Sequence, residues 1–294
     1  MRDLDQMAAL QEILAAAQTR NLHPMLLKGL AVHLRAYPQD TARGALDIDL
    51  LIQPAEMPLF VQCLEELGFF ALSDWSALIK RTNEATFHRS GDGISIDLHW
   101  SLCAPVEEFA VGLHLSEWLW KTHRKISLFG NSCRVPEREE EILFLCVHLL
   151  KASPFLLRNL SDLLHLLHAS PTVDWQRFLS LAQSTGTRAL AYYALELVST
   201  AEPGLVPELV RTGLVRFSGP RWLISPFLNL DRLVKTQGQE LTNLSLRWRG
   251  AFFSGRPWIW IPYQTALGGK RLLRQIQAVL RCLSKSRRAI SSAG

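Results

Sequence analysis

At 294 residues, 48% hydrophobic and 20% charged, the chain is long enough for one large domain or two ordinary ones and too apolar for a disordered one. Its longest strongly apolar stretch, Ile142 to Leu150, contains His148 and is about half the length of a bilayer span. The acidic start, Met-Arg-Asp-Leu-Asp, leads into no apolar leader segment, so a cytoplasmic location without a transmembrane segment is expected.

The net charge of +5 is unevenly spread. Ten Lys and Arg residues and no acid follow residue 246, which leaves −5 on the first 246 residues. Such a basic tail suits an acidic partner, another polyanion or an anionic membrane surface, and equally a solvated helix face. Five scattered cysteines (Cys63, Cys103, Cys133, Cys146 and Cys282) include no Cys-x-x-Cys pair, which argues against a disulfide framework and against a zinc site.

Along the chain, residues 3–20 have apolar positions near helical spacing. Asn21 to Pro24 ends that helix, and Met25-Leu26-Leu27 is a short strand that Lys28-Gly29 turns into a helix from Leu30 to Tyr37. A loop with Arg43 and Gly44 precedes a strand over Leu46-Asp-Ile-Asp-Leu-Leu-Ile52, and a helix runs from Pro54 to Gly68. Glu84 to Arg89 and Ile94 to Trp100 flank Gly91-Asp92-Gly93 as a hairpin, and Ile126 to Val135 forms another around Gly130-Asn131. From Pro136 the pattern turns helical, over 137–152, 158–168, 174–185 and 187–200. An α+β architecture is therefore expected, with an N-terminal domain at 1–125 and a mainly α-helical domain with a basic tail at 126–294. In that tail Leu272, Leu273, Ile276, Val279, Leu280 and Leu283 make an apolar stripe between cations. The stripe fits packing on the protein's own body, docking to an acidic partner or lying on a membrane surface. Ser286 to Gly294 are expected to be disordered.

Asp47 and Asp49, one residue apart on a predicted strand, project to the same face while Ile48 points into a core. Two like charges held this close repel, and a divalent cation removes the cost; hard oxygen ligands favour Mg²⁺. Asp97, inside Ile94-Ser-Ile-Asp-Leu-His-Trp100, becomes a third carboxylate if the two strands are neighbours. Such a triad fits metal-assisted in-line displacement at phosphorus. Gly29 permits close backbone approach at a helix N-terminus, and Lys28 and Arg43 offer charges to a triphosphate. His99 shares the face of Asp97, placed for phosphate contact, for proton transfer or for a structural hydrogen bond. On the predicted helices, Lys151 and Arg158 are further candidates for nucleotide contact, although Arg158 and Asp162, four apart, also suit an intrahelical ion pair.

Leu26-Leu-Lys-Gly-Leu30, Arg43, Leu46-Asp-Ile-Asp-Leu-Leu-Ile52 and Ile96-Asp-Leu-His-Trp100 together resemble the uncharacterised bacterial nucleotidyltransferase family. That family is a branch of the polymerase-β-like nucleotidyltransferase superfamily. Cys146-Val-His-Leu-Leu-Lys151, Arg158-Asn-Leu-Ser-Asp162 and Val173-Asp-Trp175 extend the resemblance over roughly residues 22–190. It implies a mixed β-sheet with flanking helices and Asp47, Asp49 and Asp97 as catalytic metal ligands. It also implies Mg²⁺ (or Mn²⁺) and an NTP, with ATP expected, as the source of a nucleoside monophosphate moved to an acceptor hydroxyl. By family analogy a protein or peptide acceptor is favoured over a small molecule. One departure stands out: Lys28-Gly29-Leu30 lacks the serine of the superfamily's usual Gly-Ser. That loss would also suit a catalytically inactive nucleotide-binding module with a regulatory or scaffolding role.

Overall fold

The computed structural model describes residues 2–38, 47–80, 82–103, 115–151, 156–169 and 172–215. Helix α1, Arg2–Thr19, buries a stripe of Ala9, Leu10, Ile13, Leu14 and Ala17, as its apolar spacing predicts. It ends at Asn21, whose φ of 55° is a left-handed conformation that asparagine tolerates. Pro24 then sets the chain into β1, Met25–Leu26, which leads directly into α2, Lys28–Ala36. Strand β2, Ile48–Leu51, is buried along its whole length. A 3-10 turn, Pro54–Glu56, opens α3, Met57–Glu66, which closes where Gly68 takes a φ of 82°.

Strand β3, Phe70–Ala71, and the short α4, Trp75–Leu78, were not evident from periodicity. Asp74 caps α4 by accepting hydrogen bonds from the backbone of Ser76 and Ala77. The expected hairpin forms as β4, Glu84–Arg89, and β5, Ile94–His99, joined through Gly93. Helix α5, Leu115–Lys121, precedes a second hairpin of β6, His123–Leu128, and β7, Asn131–Pro136. All seven strands form one mixed sheet in the order β3-β4-β5-β2-β1-β7-β6. Its strands thus continue beyond residue 125. β2 runs parallel to β5, β1 parallel to β7, and the remaining pairs are antiparallel.

The helical half follows as α6, Arg138–Lys151; α7, Leu156–His168; α8, Trp175–Ser184; α9, Arg188–Ala201; and α10, Glu208–Val215. The described residues fall into two compact units, one from residues before 110, 113–142 and 165–173, the other from 143–164 and 174 onward. In the first, Leu10 and Ile13 of α1, Leu30 of α2 and Phe60 of α3 share a core with Ile48, Leu50, Ile96 and Leu98 of the sheet. In the second, α9 is buried on nearly all sides and is packed by α8 and α10. The described cysteines, Cys63, Cys103, Cys133 and Cys146, are buried thiols. No helix among the described residues is long and apolar enough to cross a membrane. The Trp-rich stretch 245–268 and the expected basic helix and disordered end lie outside the described residues.

The β6–β7 turn is displaced by one residue from its predicted position. Phe129 and Gly130, with φ of 53° and 80°, form its centre. Positive φ at both central residues matches the twist of the flanking strands, a geometry that Asn-Gly suits and a phenylalanine strains. Phe129 is also exposed. Phe129→Asn is therefore expected to stabilise the protein by about 1 kcal/mol, read as a higher urea midpoint at unchanged slope. A lowered midpoint would show that the phenylalanine ring is worth more than the strain.

Candidate active site

The site is a consequence of strand register. β2 and β5 run side by side with Asp49 directly opposite Asp97, and β4 sets Thr86 opposite Asp97 and Glu84 opposite His99. Residues paired across strands share a face, and period-two alternation adds His99 to that of Asp97. Ile48, Leu50, Ile96 and Leu98 occupy the other face and are wholly buried, which fixes the register: a one-residue slip would exchange carboxylates for core. Asp47 lies in a bend just before β2 and faces the same cluster.

The fourth corner is the β1–α2 junction. The Leu27 amide donates to the Asp49 carbonyl at 3.0 Å, which brings Lys28 alongside β2. Lys28, not Gly29, adopts the left-handed conformation there, with a φ of 47°, and α2 begins at Lys28 rather than Leu30. A non-glycine residue in that region is strained and persists only where its surroundings over-determine it. Here the Lys28 ammonium donates to Asp49 Oδ1 at 2.7 Å and lies 3.2 Å from His99 Nε2.

Asp49 is only 5% exposed. Its Oδ1 lies 2.9 Å from His99 Nε2, while His99 Nδ1 lies 2.9 Å from Glu84 Oε2, an ion-pair distance without hydrogen-bond alignment. His99 itself is 1% exposed. Thr86 Oγ1 donates to Asp97 Oδ1 at 2.8 Å. Charge follows geometry. Burial works against an ionised Asp49, but Lys28 and His99 outweigh it and hold its carboxyl well below the usual range. Burial and Lys28 oppose a charged His99, yet Asp49 and Glu84 raise its pKa. Lys28 is likewise raised despite burial, first by Asp49 and then by Glu84. Glu84 is pushed down to about 2, its burial overcome by contact with His99.

Asp47 behaves in the opposite way. Burial, then the charges of Asp49 and Asp97, push it up to about 7, and a hydrogen bond with Asp97 adds to the shift. Lys28 and His99 thus face Asp49 and Glu84, whereas no cation among the described residues pairs with Asp47 or Asp97. No group of three acids or histidines among the described residues is arranged as a metal shell in this conformation. The donor chemistry nevertheless fits a hard dication, because carboxylate oxygens predominate and Asp47 is destabilised by the negative charge that such an ion would neutralise.

Asp47, Asp49, Asp97, Lys28 and His99 therefore come together, with Gly29 buried in the first turn of α2. His99, expected at the nucleotide, is buried behind Asp49 between two acids. Arg43 lies outside the described residues, as does the side chain of Lys151. Arg158 sits half-buried on α7, in the second unit. Glu84 and Thr86 were missed in the sequence. Their signal was the hairpin: pairing across Gly91-Asp92-Gly93 matches 84 with 99 and 86 with 97.

Residues 1–201 match the family described as uncharacterised nucleotidyltransferase. The chain belongs to that family. It is a nucleotidyltransferase, and its three clustered aspartates lie within the matched segment. No curated protein matches the sequence significantly. Several solved structures align with it, two of them as follows. An antigenic nucleotidyltransferase-like protein from Paracoccidioides brasiliensis has a TM-score of 0.46 and 15% identity, over 71% of this chain and 91% of that one. The antibiotic-resistance factor ANT(2'')-Ia has a TM-score of 0.44 and 16% identity, over 68% of this chain and 100% of that one.

The two aspartates of the nucleotidyltransferase Asp-x-Asp pair should respond oppositely to neutralisation in EDTA. Asp47 holds its proton more tightly folded than unfolded, so it lowers stability as pH rises from about 4 to about 7 and keeps it lowered above. Asp47→Asn is expected to gain roughly 1–2 kcal/mol at pH 8, allowing for solvent screening, and nothing at pH 4. Asp49→Asn removes the counter-charge that Lys28 and His99 share, leaving Glu84 beside both, and should lose about 3 kcal/mol at pH 8. Thermal melts at the two pH values check both, and a stabilised Asp49→Asn would contradict the charge arrangement.

Proposed function

We propose that the protein transfers a nucleoside monophosphate from an NTP, with ATP expected, to a hydroxyl acceptor, using Mg²⁺ or Mn²⁺. The observation that carries this reading is the unmatched negative charge of Asp47 and Asp97 beside the buried Asp49, within a nucleotidyltransferase sequence. Asp47, Asp49 and Asp97 would hold the dication. Once bound, such an ion supplies Lewis-acid polarisation of the phosphate and lowers the pKa of the attacking hydroxyl.

The acceptor oxygen forms a bond to the α-phosphorus as the bond to pyrophosphate breaks. Asp97, steadied by Thr86, is the carboxylate assigned to receive the hydroxyl proton. His99, pinned between Asp49 and Glu84, orients Asp49 rather than contacting nucleotide. Lys28 and Gly29 at the start of α2 serve the triphosphate. Arg43, Lys151 and Arg158 are the further cations assigned to the nucleotide, on charge. In this reading the N-terminal domain, expected at 1–125 and extended by β6 and β7 of the same sheet, performs the transfer, while the mainly helical remainder with its basic tail recognises the acceptor. A protein or peptide with acidic character suits that tail better than a small molecule.

Incubation of lysate with α-labelled ATP and Mn²⁺ should place label in a protein or peptide fraction. Asp49→Asn and Asp97→Asn should each reduce labelling by about 100-fold or more, as expected for groups acting in the transition state. Metal-independent labelling, or labelling indifferent to both substitutions, would sink the reading. Label confined to small metabolites would move the acceptor to that class.

A further inference from the structure

Lys28 is in the wrong place for a residue that only binds phosphate. Its ammonium is bonded to Asp49 Oδ1 at 2.7 Å, its side chain is 15% exposed, and its backbone is held at a strained φ of 47°. Asp49 is the acid that both adjoins Asp97 across the strands and lies two residues after Asp47, which sits in the bend before β2. A cation placed here occupies the charge that a metal-bound carboxylate would otherwise offer. It also leaves the ammonium engaged and unable to serve a ligand elsewhere.

We propose that Lys28 is an exchangeable internal counter-ion: it neutralises Asp49 in the metal-free protein, is displaced when Asp49 takes a dication, and is thereby freed for the nucleotide's phosphate. The inference rests on the carboxylate reading above. Its physical basis is competition for one carboxylate. Lys28 and His99 already crowd Asp49 Oδ1, and a dication on the same carboxylate would stand within a few ångström of the ammonium, so like-charge repulsion drives the Lys28 contact to break as metal loads. Breaking it alone is costly, because a buried ammonium is left beside His99. A phosphate brought to the start of α2 offers that ammonium a new partner, where helix amides already favour an anion. Metal and nucleotide then favour each other's binding, reciprocally, through one side chain. His99 cannot take this part. It is held from both sides by Asp49 and Glu84 and is buried, whereas Lys28 stands on a flexible four-carbon stem at the mouth of the helix.

Two measurements on the full chain move in directions that a purely structural lysine would not produce. Free Mn²⁺ is followed by electron paramagnetic resonance during titration, with wild type, Lys28→Met and Asp49→Asn compared below their melting temperatures. Lys28→Met should bind Mn²⁺ about 10-fold more tightly than wild type although it is less stable without metal, and Asp49→Asn should bind it far more weakly. In EDTA, where Lys28 is held by Asp49, ATP should bind Asp49→Asn about 10-fold more tightly than wild type, since the ammonium is released. Lys28→Met combined with Asp49→Asn should abolish that gain. If Lys28→Met does not fold, wild-type protein with ¹⁵N-labelled lysine suffices. One hydrogen-bonded ammonium signal should be present in EDTA and lost on adding Mg²⁺. Unchanged Mn²⁺ affinity in Lys28→Met, unchanged ATP binding by Asp49→Asn in EDTA, or an ammonium signal indifferent to Mg²⁺ overturns the exchange. Wild type that binds no Mn²⁺ at all overturns the carboxylate reading instead.

Discussion

A single buried carboxylate organises this protein's chemistry. Asp49 sits at 5% exposure in the middle of a seven-stranded sheet, where an isolated charge would cost several kcal/mol. It is tolerated because two partners reach the same oxygen, the Lys28 ammonium from the start of α2 and the His99 ring from β5. Much else follows from this requirement. The left-handed backbone at Lys28, the tie between the Leu27 amide and the Asp49 carbonyl, and the position of Glu84 behind His99 all hold those partners in place.

The same requirement divides four neighbouring acids into two kinds. Asp49 and Glu84 each face a cation and stay ionised, one deep in the sheet and the other at its rim. Asp47 and Asp97 face each other, and Asp47 retains its proton to about neutrality. Environment rather than residue type separates them, as happens wherever two carboxylates share a site. The pair left with surplus negative charge is the pair with an incentive to bind a cation. Under the proposed reading the stability of the metal-free fold and metal binding are opposed at this point, as is common where function needs a destabilised site.

Register is the device that assembles these groups. β4, β5 and β2 are adjacent, and a parallel β2–β5 pairing beside an antiparallel β4–β5 hairpin brings positions 49, 97 and 86 into one row. The large apolar side chains on the opposite face make that register costly to change. Asp49, Asp97 and Glu84 are carried by strands rather than loops, so they keep their spacing without a ligand to order them.

The sequence by itself determined the elements. Gly-Asp-Gly punctuation marked the first hairpin and Gly-Asn the second, and the 3.6-residue stripe marked α1 and α6 to α9, because these patterns depend only on neighbours along the chain. It also placed Asp47 and Asp49 on one side of the chain, although the strand begins only at Ile48 and Asp47 reaches the cluster from the bend before it. It did not reveal β3, α4, α5 or α10, which are short and take their stability from packing or a cap. Above all it could not choose among the possible partners of Asp49. Lys28 is 21 residues away and His99 is 50, and only the placement of β1 and β5 on either side of β2 brings them to one oxygen. Lys28 at a helix start and His99 on a strand both read as phosphate ligands from composition and spacing. The fold gives both a further part that spacing does not show, since a carboxylate removed from water must find its counter-charges within the fold.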